Sequence, residues 1–344
     1  MKNLKNQIGM DINETIEVGT YHCALQQIRR NLHLETSHSA MASACGKAIL
    51  VGEHAVVYGA KAVAIPVLNM QVSLEIKSSE NDKVNMYLAG RPVSDHLRGV
   101  VEDAATLLGI TLSPMDIYGN STILIGAGLG SSAAICVAVL KSLAQFFRRE
   151  LLPSQIAEMS NKLERRFHGN PSGLDTAVVS FEQAVSFTKG TAPVPLDISR
   201  PTVKGVQAKN WRFAIIDSGL RSSTIEMIDK AAPWFTDTDR ATKINQFNVL
   251  ASQSIKALKT GDLVSLGQAM TAANSLLSQA QLVPTPLENI IDTAHSYGAI
   301  AAKITGAGGG GCIIALLAPD RATETITNLQ HKYGSERVNE VNLL

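Results

Sequence analysis

Residues 126–134 read Gly-Ala-Gly-Leu-Gly-Ser-Ser-Ala-Ala. A short apolar strand is expected before them, over 121–125, and a helix after them, over 131–147. Glycines at 126, 128 and 130 leave one side of the turn without Cβ atoms. Backbone N–H groups can then close on an anion, and the following helix aims its positive end at the same place. Ser131 and Ser132 open that helix and suit either a helix cap or a metal-bound phosphate. The spacing excludes two common phosphate loops. A P-loop requires a lysine after its second glycine, and none follows Gly130; a dinucleotide fingerprint requires a third glycine where Ser131 stands. Taken alone, a flexible turn with a capping serine is the simpler reading. The neighbouring motifs decide the matter.

A chain of 344 residues is too long for one ordinary core and implies two domains. Hydrophobic residues make up 45% and charged residues 18%, the balance of a well-packed globular protein. A net charge of +1 gives no electrostatic footprint for nucleic acid or for an acidic surface. No apolar run reaches membrane-spanning length, so no membrane partner is expected. Residues 1–19 lack the continuous apolar core of a secretory signal, which makes a cytoplasmic location the expectation. Cys23, Cys45, Cys136 and Cys312 form no C-x-x-C pair. Reduced, buried thiols are expected of them, and a zinc site has little support.

Along the chain, residues 1–40 are polar, weakly helical over 23–34, and read as an N-terminal extension. A first domain is expected over 41–210 and a second over 211–344. The first begins with a strand over 44–51, a glycine-bounded loop over 52–59 and a strand over 62–65. Residues 71–78 and 82–88 alternate apolar and polar side chains, as a half-buried antiparallel pair would. Helices follow over 93–108 and 155–167, the latter stopped by His168-Gly169-Asn170-Pro171. Strands are expected over 177–187 and 211–217. The remainder is mostly helical, over 223–230, 239–259, 263–281 and 286–297. Strands over 301–305 and 312–317 then flank the glycine run 306–311, and a helix over 321–333 and a strand over 337–341 close the chain. Strands and helices mix without a regular β-α-β beat, which favours α+β.

Three further constellations carry chemistry. Lys47 stands alone in an apolar strand and needs a partner, because an unpaired buried ammonium is costly; an anionic ligand would serve, and so would an edge position from which the side chain reaches water. Glu53 and His54 sit beside a glycine turn and can offer an acceptor and a donor to a small polar substrate. Glu164 and Asp175 bracket a Gly/Pro turn. Two such carboxylates can divide labour, one binding a metal and the other accepting a proton from a substrate hydroxyl, although Asp175 alone would pass for a helix cap. The glycine run 306–311 is either a tight packing turn or a second loop facing the first across a cleft.

Together these motifs resemble, in order, those of the GHMP small-molecule kinases. The matching pieces are Lys47 with Gly-Glu-His-Ala-Val-Val-Tyr-Gly (52–59), the Gly-x-Gly-x-Gly-Ser-Ser-Ala loop, His-Gly-x-Pro-Ser-Gly-x-Asp (168–175) and Thr-Gly-Ala-Gly-Gly-Gly-Gly-Cys (305–312). Within that group the chain is most similar to the mevalonate kinases, on 52–59, 168–175 and Asp-Ser-Gly-Leu-Arg-Ser-Ser-Thr (217–224); galactokinases usually carry Asp-Tyr after Gly-Glu-His. The resemblance runs from about Ala42 to the C-terminus. It implies a ribosomal-protein-like N-terminal domain and a ferredoxin-like C-terminal domain. It also implies ATP-dependent phosphorylation of the 5-hydroxyl of (R)-mevalonate, with Mg2+ as cofactor. By position, Asp175 matches the catalytic base and Lys47 the lysine that holds base and substrate. Gly126, Ala127, Gly128, Leu129, Gly130, Ser131 and Ser132 match the nucleotide loop. Ser132 and Glu164 match the metal ligands, and Lys47, Glu53, His54 and Asp175 the substrate contacts. A homodimer is compatible with the family.

Two departures are visible: Cys45 and Ile125 stand where many members have proline, and residues 1–40 have no family counterpart. Neither change removes a functional group. The rival readings are another GHMP substrate such as phosphomevalonate, homoserine or a sugar, a ligand sensor without turnover, and a nicotinamide oxidoreductase. Intact Lys47, Glu164 and Asp175 argue against the sensor, and Ser131 against the oxidoreductase.

Overall fold

Strands β1 (Ser39–Val51) and β2 (Lys61–Ser78) run antiparallel over most of their length and form the spine of a seven-stranded sheet. The structure is a computed structural model and describes residues 39–198 and 211–343. The extension helix expected over 23–34, and most of the stretch around the expected domain boundary, lie outside the described residues. The two strands expected over 62–65 and 71–78 are one continuous strand, β2. The register slips between Cys45↔Gln71 and Gly46↔Val67, so a bulge absorbs the residues between and the strand continues past Pro66.

The far edge of β2 is shared end to end. β6 (Val185–Thr188) pairs with its start and β5 (Met115–Ser121) with its end. β3 (Val84–Leu88) runs parallel to β5, with the short β4 (Arg91–Pro92) beyond it, and β7 (Val194–Pro195) pairs with β6. The segments 71–78 and 82–88 therefore do not pair with each other as expected; β5 lies between them. Alternation fixes which residues are half-buried but not which strand is the neighbour. A parallel pair needs a crossover, and helix α1 (Asp95–Leu108) supplies it between β3 and β5.

Helix α2 (Ser131–Phe146) is apolar on nearly all sides, which suits the centre of a layer, and it packs on β1 and β2. Helix α3 (Pro153–His168) lies beside it. Its start is fixed by Pro153 at the first helical position and by Gln155, whose side chain accepts from Leu152 N at 2.8 Å. Two strand expectations fail here. β5 stops at Ser121, and Ile125 is 70% exposed in a loop. The segment 177–187 begins as a short helix, α4 (Leu174–Phe181), before β6. A fully buried apolar run has no periodicity to separate helix from strand. Here Gly173 (φ 93°) and Glu182 (φ 53°) turn the chain at both ends of α4.

The second half builds a four-stranded antiparallel sheet. It is made of β8 (Trp211–Asp217), β9 (Ala299–Thr305), β10 (Cys312–Leu317) and β11 (Val338–Leu343), in the order β11-β8-β10-β9. Its helices are α5 (Thr224–Thr236), α6 (Arg240–Thr260), α7 (Leu263–Gln279), α8 (Thr285–Ser296) and α9 (Ala322–Tyr333). The expected α+β class is the one observed. The halves are tied by packing of α6 against β1 and β2 and by long-range hydrogen bonds. Lys61 N donates to Asn248 Oδ1 at 2.7 Å, and Asn69 Nδ2 to Glu340 O at 2.8 Å. Ser39–Leu344 accordingly forms one compact unit. Among the described residues no helix is long and apolar enough to cross a membrane.

Cys45, Cys136 and Cys312 are buried and unpaired, as expected; Cys23 lies outside the described residues. Burial pushes the Cys45 and Cys312 thiols up to about 12. The thiolate is the nucleophile, so at pH 8 each should react roughly a thousandfold more slowly than a free cysteine. Timed labelling with an aromatic disulfide, with and without denaturant and read by peptide mass, checks this.

Candidate active site

Lys47 is 2% exposed, so it is not an edge lysine reaching out to bulk solvent. Nζ donates to Gly128 O at 2.9 Å and lies 3.1 Å from Asp175 Oδ2. Its own N–H donates to Leu129 O at 3.0 Å. One residue thus joins the first glycine loop to the carboxylate. The loop must be glycine where the lysine passes: a Cβ on Gly130 (φ 72°) would lie 2.9 Å from Lys47 Cγ. At Gly128 (φ 81°) a Cβ would lie 2.3 Å from Thr305 O, which is backbone and cannot move aside.

The second glycine run borders the same cleft as the first, but no gap separates the two where Gly128 meets Thr305 and Gly306. The two loops touch backbone to backbone, and Cys312 N donates to Ala127 O at 3.0 Å. Gly128→Ala combines a positive φ with this contact and should cost on the order of 2 kcal/mol or more. We expect a lower Tm and loss of nucleotide-induced stabilisation, both read by thermal melts with and without ATP.

Asp175 sits in the first turn of α4, with Gly173 rather than Asp175 at the cap position. Its side chain is 28% exposed, open to the cleft on one side and held by Lys47 on the other.

Ser132, in the first turn of α2, donates to Glu164 Oε1 at 3.0 Å, so the two expected metal ligands are adjacent. Glu164 is 2% exposed. Burial, with the nearby negative Asp175 adding to it, raises its carboxyl to about 8; Ser132 and Lys47 pull the other way. His168 Nε2 lies 3.1 Å from the Ser132 hydroxyl and 3.9 Å from Glu164 Oε1, and burial keeps this imidazole neutral to lower pH than usual. Magnesium takes hard oxygen donors, commonly one or two carboxylates completed by phosphate oxygens. A hydroxyl and a buried carboxyl at 3.0 Å fit that donor set. A cation there would draw the Glu164 proton off.

Glu53 and His54 lie in the loop after β1. His54 adopts φ 56°, and its Nε2 is 2.8 Å from Ala307 O. Because the carbonyl only accepts, Nε2 carries the hydrogen and Nδ1 is left as acceptor. Burial lowers this imidazole's pKa. Glu53 is fully buried and forms an ion pair with Lys303 of β9, which is also fully buried. Lys303 Nζ also donates to Ile304 O at 2.5 Å and Ile49 O at 3.4 Å. Sequence reasoning missed Lys303. The signal was the one that singled out Lys47, a lone lysine in an apolar strand.

These groups line one cleft of about 360 Å3 between the two sheets. Lys47, Glu53, His54, Gly126, Gly128, Gly130, Ser131, Ser132, Glu164 and Asp175 all reach it; Ala127 and Leu129 do not line it and instead turn into the core. Ser222, Thr224 and Ile228, from the loop before α5 and from α5 itself, also line it; the first two entered the sequence reading within the 217–224 match, with no site role.

Sequence models of the GHMP kinases N terminal domain and of the GHMP kinases C terminal match residues 95–183 and 254–335. The chain belongs to the GHMP kinase family. This GHMP kinase is 27% identical over 331 residues to a mevalonate kinase of Thermococcus sibiricus, covering 88% of this chain and 96% of that one. In fold it is similar to the Methanococcus jannaschii mevalonate kinase, with TM-score 0.75, 23% identity, and coverage of 90% and 98%. It is similar also to the L. major mevalonate kinase in complex with R-mevalonate, with TM-score 0.75, 22% identity, and coverage of 90% and 97%. The family's two-domain fold is the one observed, with the cleft between its two sheets.

Proposed function

We propose that this GHMP kinase transfers the terminal phosphoryl group of ATP to the 5-hydroxyl of (R)-mevalonate, giving 5-phosphomevalonate and ADP. The observation that carries the reading is Lys47, bonded at once to the glycine loop at Gly128 O and to Asp175. The relatives' names supply the alcohol. We take residues 41–210 as the nucleotide-binding domain and 211–344 as the domain that closes the cleft.

Phosphoryl transfer asks an enzyme mainly for alignment and charge neutralisation. Backbone N–H groups of 126–132, at the start of α2, cradle the triphosphate. Lys47 carries positive charge to the point between that loop and the acceptor. Asp175 accepts the hydrogen of the attacking hydroxyl and so orients the oxygen; its pairing with Lys47 holds the carboxylate in place for that role. Ser132 and Glu164 would hold Mg2+, which when bound neutralises phosphate charge. Glu53 and His54 stand on the substrate side, where the His54 Nδ1 lone pair can accept from a hydroxyl.

The test is ADP release from purified protein with and without mevalonate, set beside phosphomevalonate, homoserine and galactose. We expect mevalonate alone to raise ADP release well above the ATPase background. Equal or greater stimulation by another alcohol would reassign the substrate, and no stimulation by any would overturn the kinase reading.

A further inference from the structure

The segment Asp217–Thr224 follows β8 and takes no part in the chemistry above, yet it is bonded to both glycine loops. Ser218 N donates to Gly311 O at 3.0 Å, Gly311 N to Leu220 O at 2.9 Å, and Ser222 Oγ to Gly308 O at 2.5 Å. Its link to the first loop is Arg221. Nε donates at 3.1 Å to the carbonyl of Ile125, the residue just before Gly126. The guanidinium faces Asp217 with both ends, Nη1 to Oδ1 at 2.7 Å and Nη2 to Oδ2 at 2.9 Å, and Nη1 also reaches Leu220 O at 2.9 Å.

Asp217 is anchored in turn. Its carbonyl accepts from Arg337 Nε and Nη2 at 2.9 and 2.6 Å, and its Oδ1 accepts from Gly219 N at 3.0 Å. A fork held by a carboxylate at both tips is a rigid donor, and lysine cannot reproduce it. Ile125 meanwhile is 70% exposed and lies past the end of β5, ahead of the part of the loop, from Ala127 onward, that Cys312 and Lys47 grip.

We propose that Arg221 is a positioning residue for the triphosphate. It fixes the mouth of the glycine loop through the Ile125 carbonyl and takes its rigidity from Asp217 and, behind it, Arg337. The inference rests on the reading of 126–132 as the nucleotide loop. It gives Arg221 no contact with the alcohol: its Nε, Nη1 and Nη2 already donate to protein acceptors, and it does not line the cleft. A floppy loop would have to be ordered by each ATP that binds, so loosening the brace should weaken ATP. The alcohol side should stay as it is.

The experiment uses full-length wild type, R221M, R221K and D217N. Three quantities are measured on each: hydrogen exchange of the amides of 122–131 without ligand, the ATP Kd by calorimetry, and the KM for mevalonate. We expect about tenfold faster exchange in that segment and about a tenfold higher ATP Kd in R221M and R221K. The KM for mevalonate should stay within threefold of wild type. D217N should show the same signature more weakly, although it does not touch the loop. If R221M does not fold, R221K carries the same test, since it keeps the stem and the charge but loses the fork. A raised KM for mevalonate with ATP Kd unchanged would make Arg221 a substrate ligand and overturn the proposal, as would unchanged exchange over 122–131. Wild type that fails to bind ATP would instead sink the functional reading, and the ligand-free exchange result would still judge the brace.

Discussion

Asp175→Asn is expected to lower turnover by two to four orders of magnitude, about the range a positioned general base supplies, while the ATP Kd stays within threefold. The side chain is isosteric, so the first turn of α4 and the shape of the cleft survive. Two things are lost. Asparagine cannot take the hydroxyl proton, and the 3.1 Å ion pair with Lys47 disappears. Lys47 keeps its bond to Gly128 O, so the glycine loop retains its anchor and nucleotide binding is spared. Some stability should be lost, because the buried Lys47 keeps Gly128 O as an acceptor but loses its counter-charge; the fold should survive, since the Asp175 side chain itself is 28% exposed. Coupled ADP assays at saturating substrates, beside calorimetric titration with ATP, separate the two effects. Activity within a few-fold of wild type would remove Asp175 from the mechanism, and parallel loss of ATP binding would make it a structural partner of Lys47.

How far the sequence reaches is clearest at Lys47 and Glu53, two buried charges that needed partners. Local pattern placed both beside glycine turns, and the order of motifs suggested a shared site. What it could not supply was partner identity, because partners come from segments far apart in the chain. Lys47 finds Asp175, and Glu53 finds Lys303, 250 residues away. The same limit explains the sheet error. Alternation over 71–78 and 82–88 told which faces are half-buried, but β5 arrives later in the chain and takes the place between them. The helix start at 263 and the strand limits 312–317 were legible because periodicity and punctuation agree there, while the helix expected to 281 ends at Gln279. Where burial is complete, as in 176–180, periodicity vanishes and only the positive-φ residues at each end mark the helix. The two glycine loops were legible as loops. Their contact was not, since nothing local says that Thr305 O will sit where a Gly128 Cβ would be.

Lys303→Met is expected to destabilise the protein by about 3–5 kcal/mol, the usual cost of breaking a buried ion pair from one side, and by an amount that depends on pH. Both partners are fully buried, and burial raises the Glu53 carboxyl above its ordinary value of 4.5 even with the ammonium beside it. Without Lys303 the principal counter-charge is gone, and the folded state must keep Glu53 protonated.

The unfolded chain gives that proton up above pH 4.5. The folded variant then holds more protons than the unfolded one, and its stability falls as pH rises, by up to about 1.4 kcal/mol per pH unit, until the shifted value is passed. Wild type and K303M should therefore lie closest near pH 4.5 and diverge towards pH 8. Thermal melts over that range, at fixed ionic strength, give the curve. The double variant K303M/E53Q should flatten it and recover much of the loss, because no unpaired buried charge is left. A pH-independent gap between K303M and wild type would mean that Glu53 stays ionised without its lysine. The Glu53 Oε2 atom, buried here without a hydrogen-bond partner, would then have to find a new donor to hold the charge.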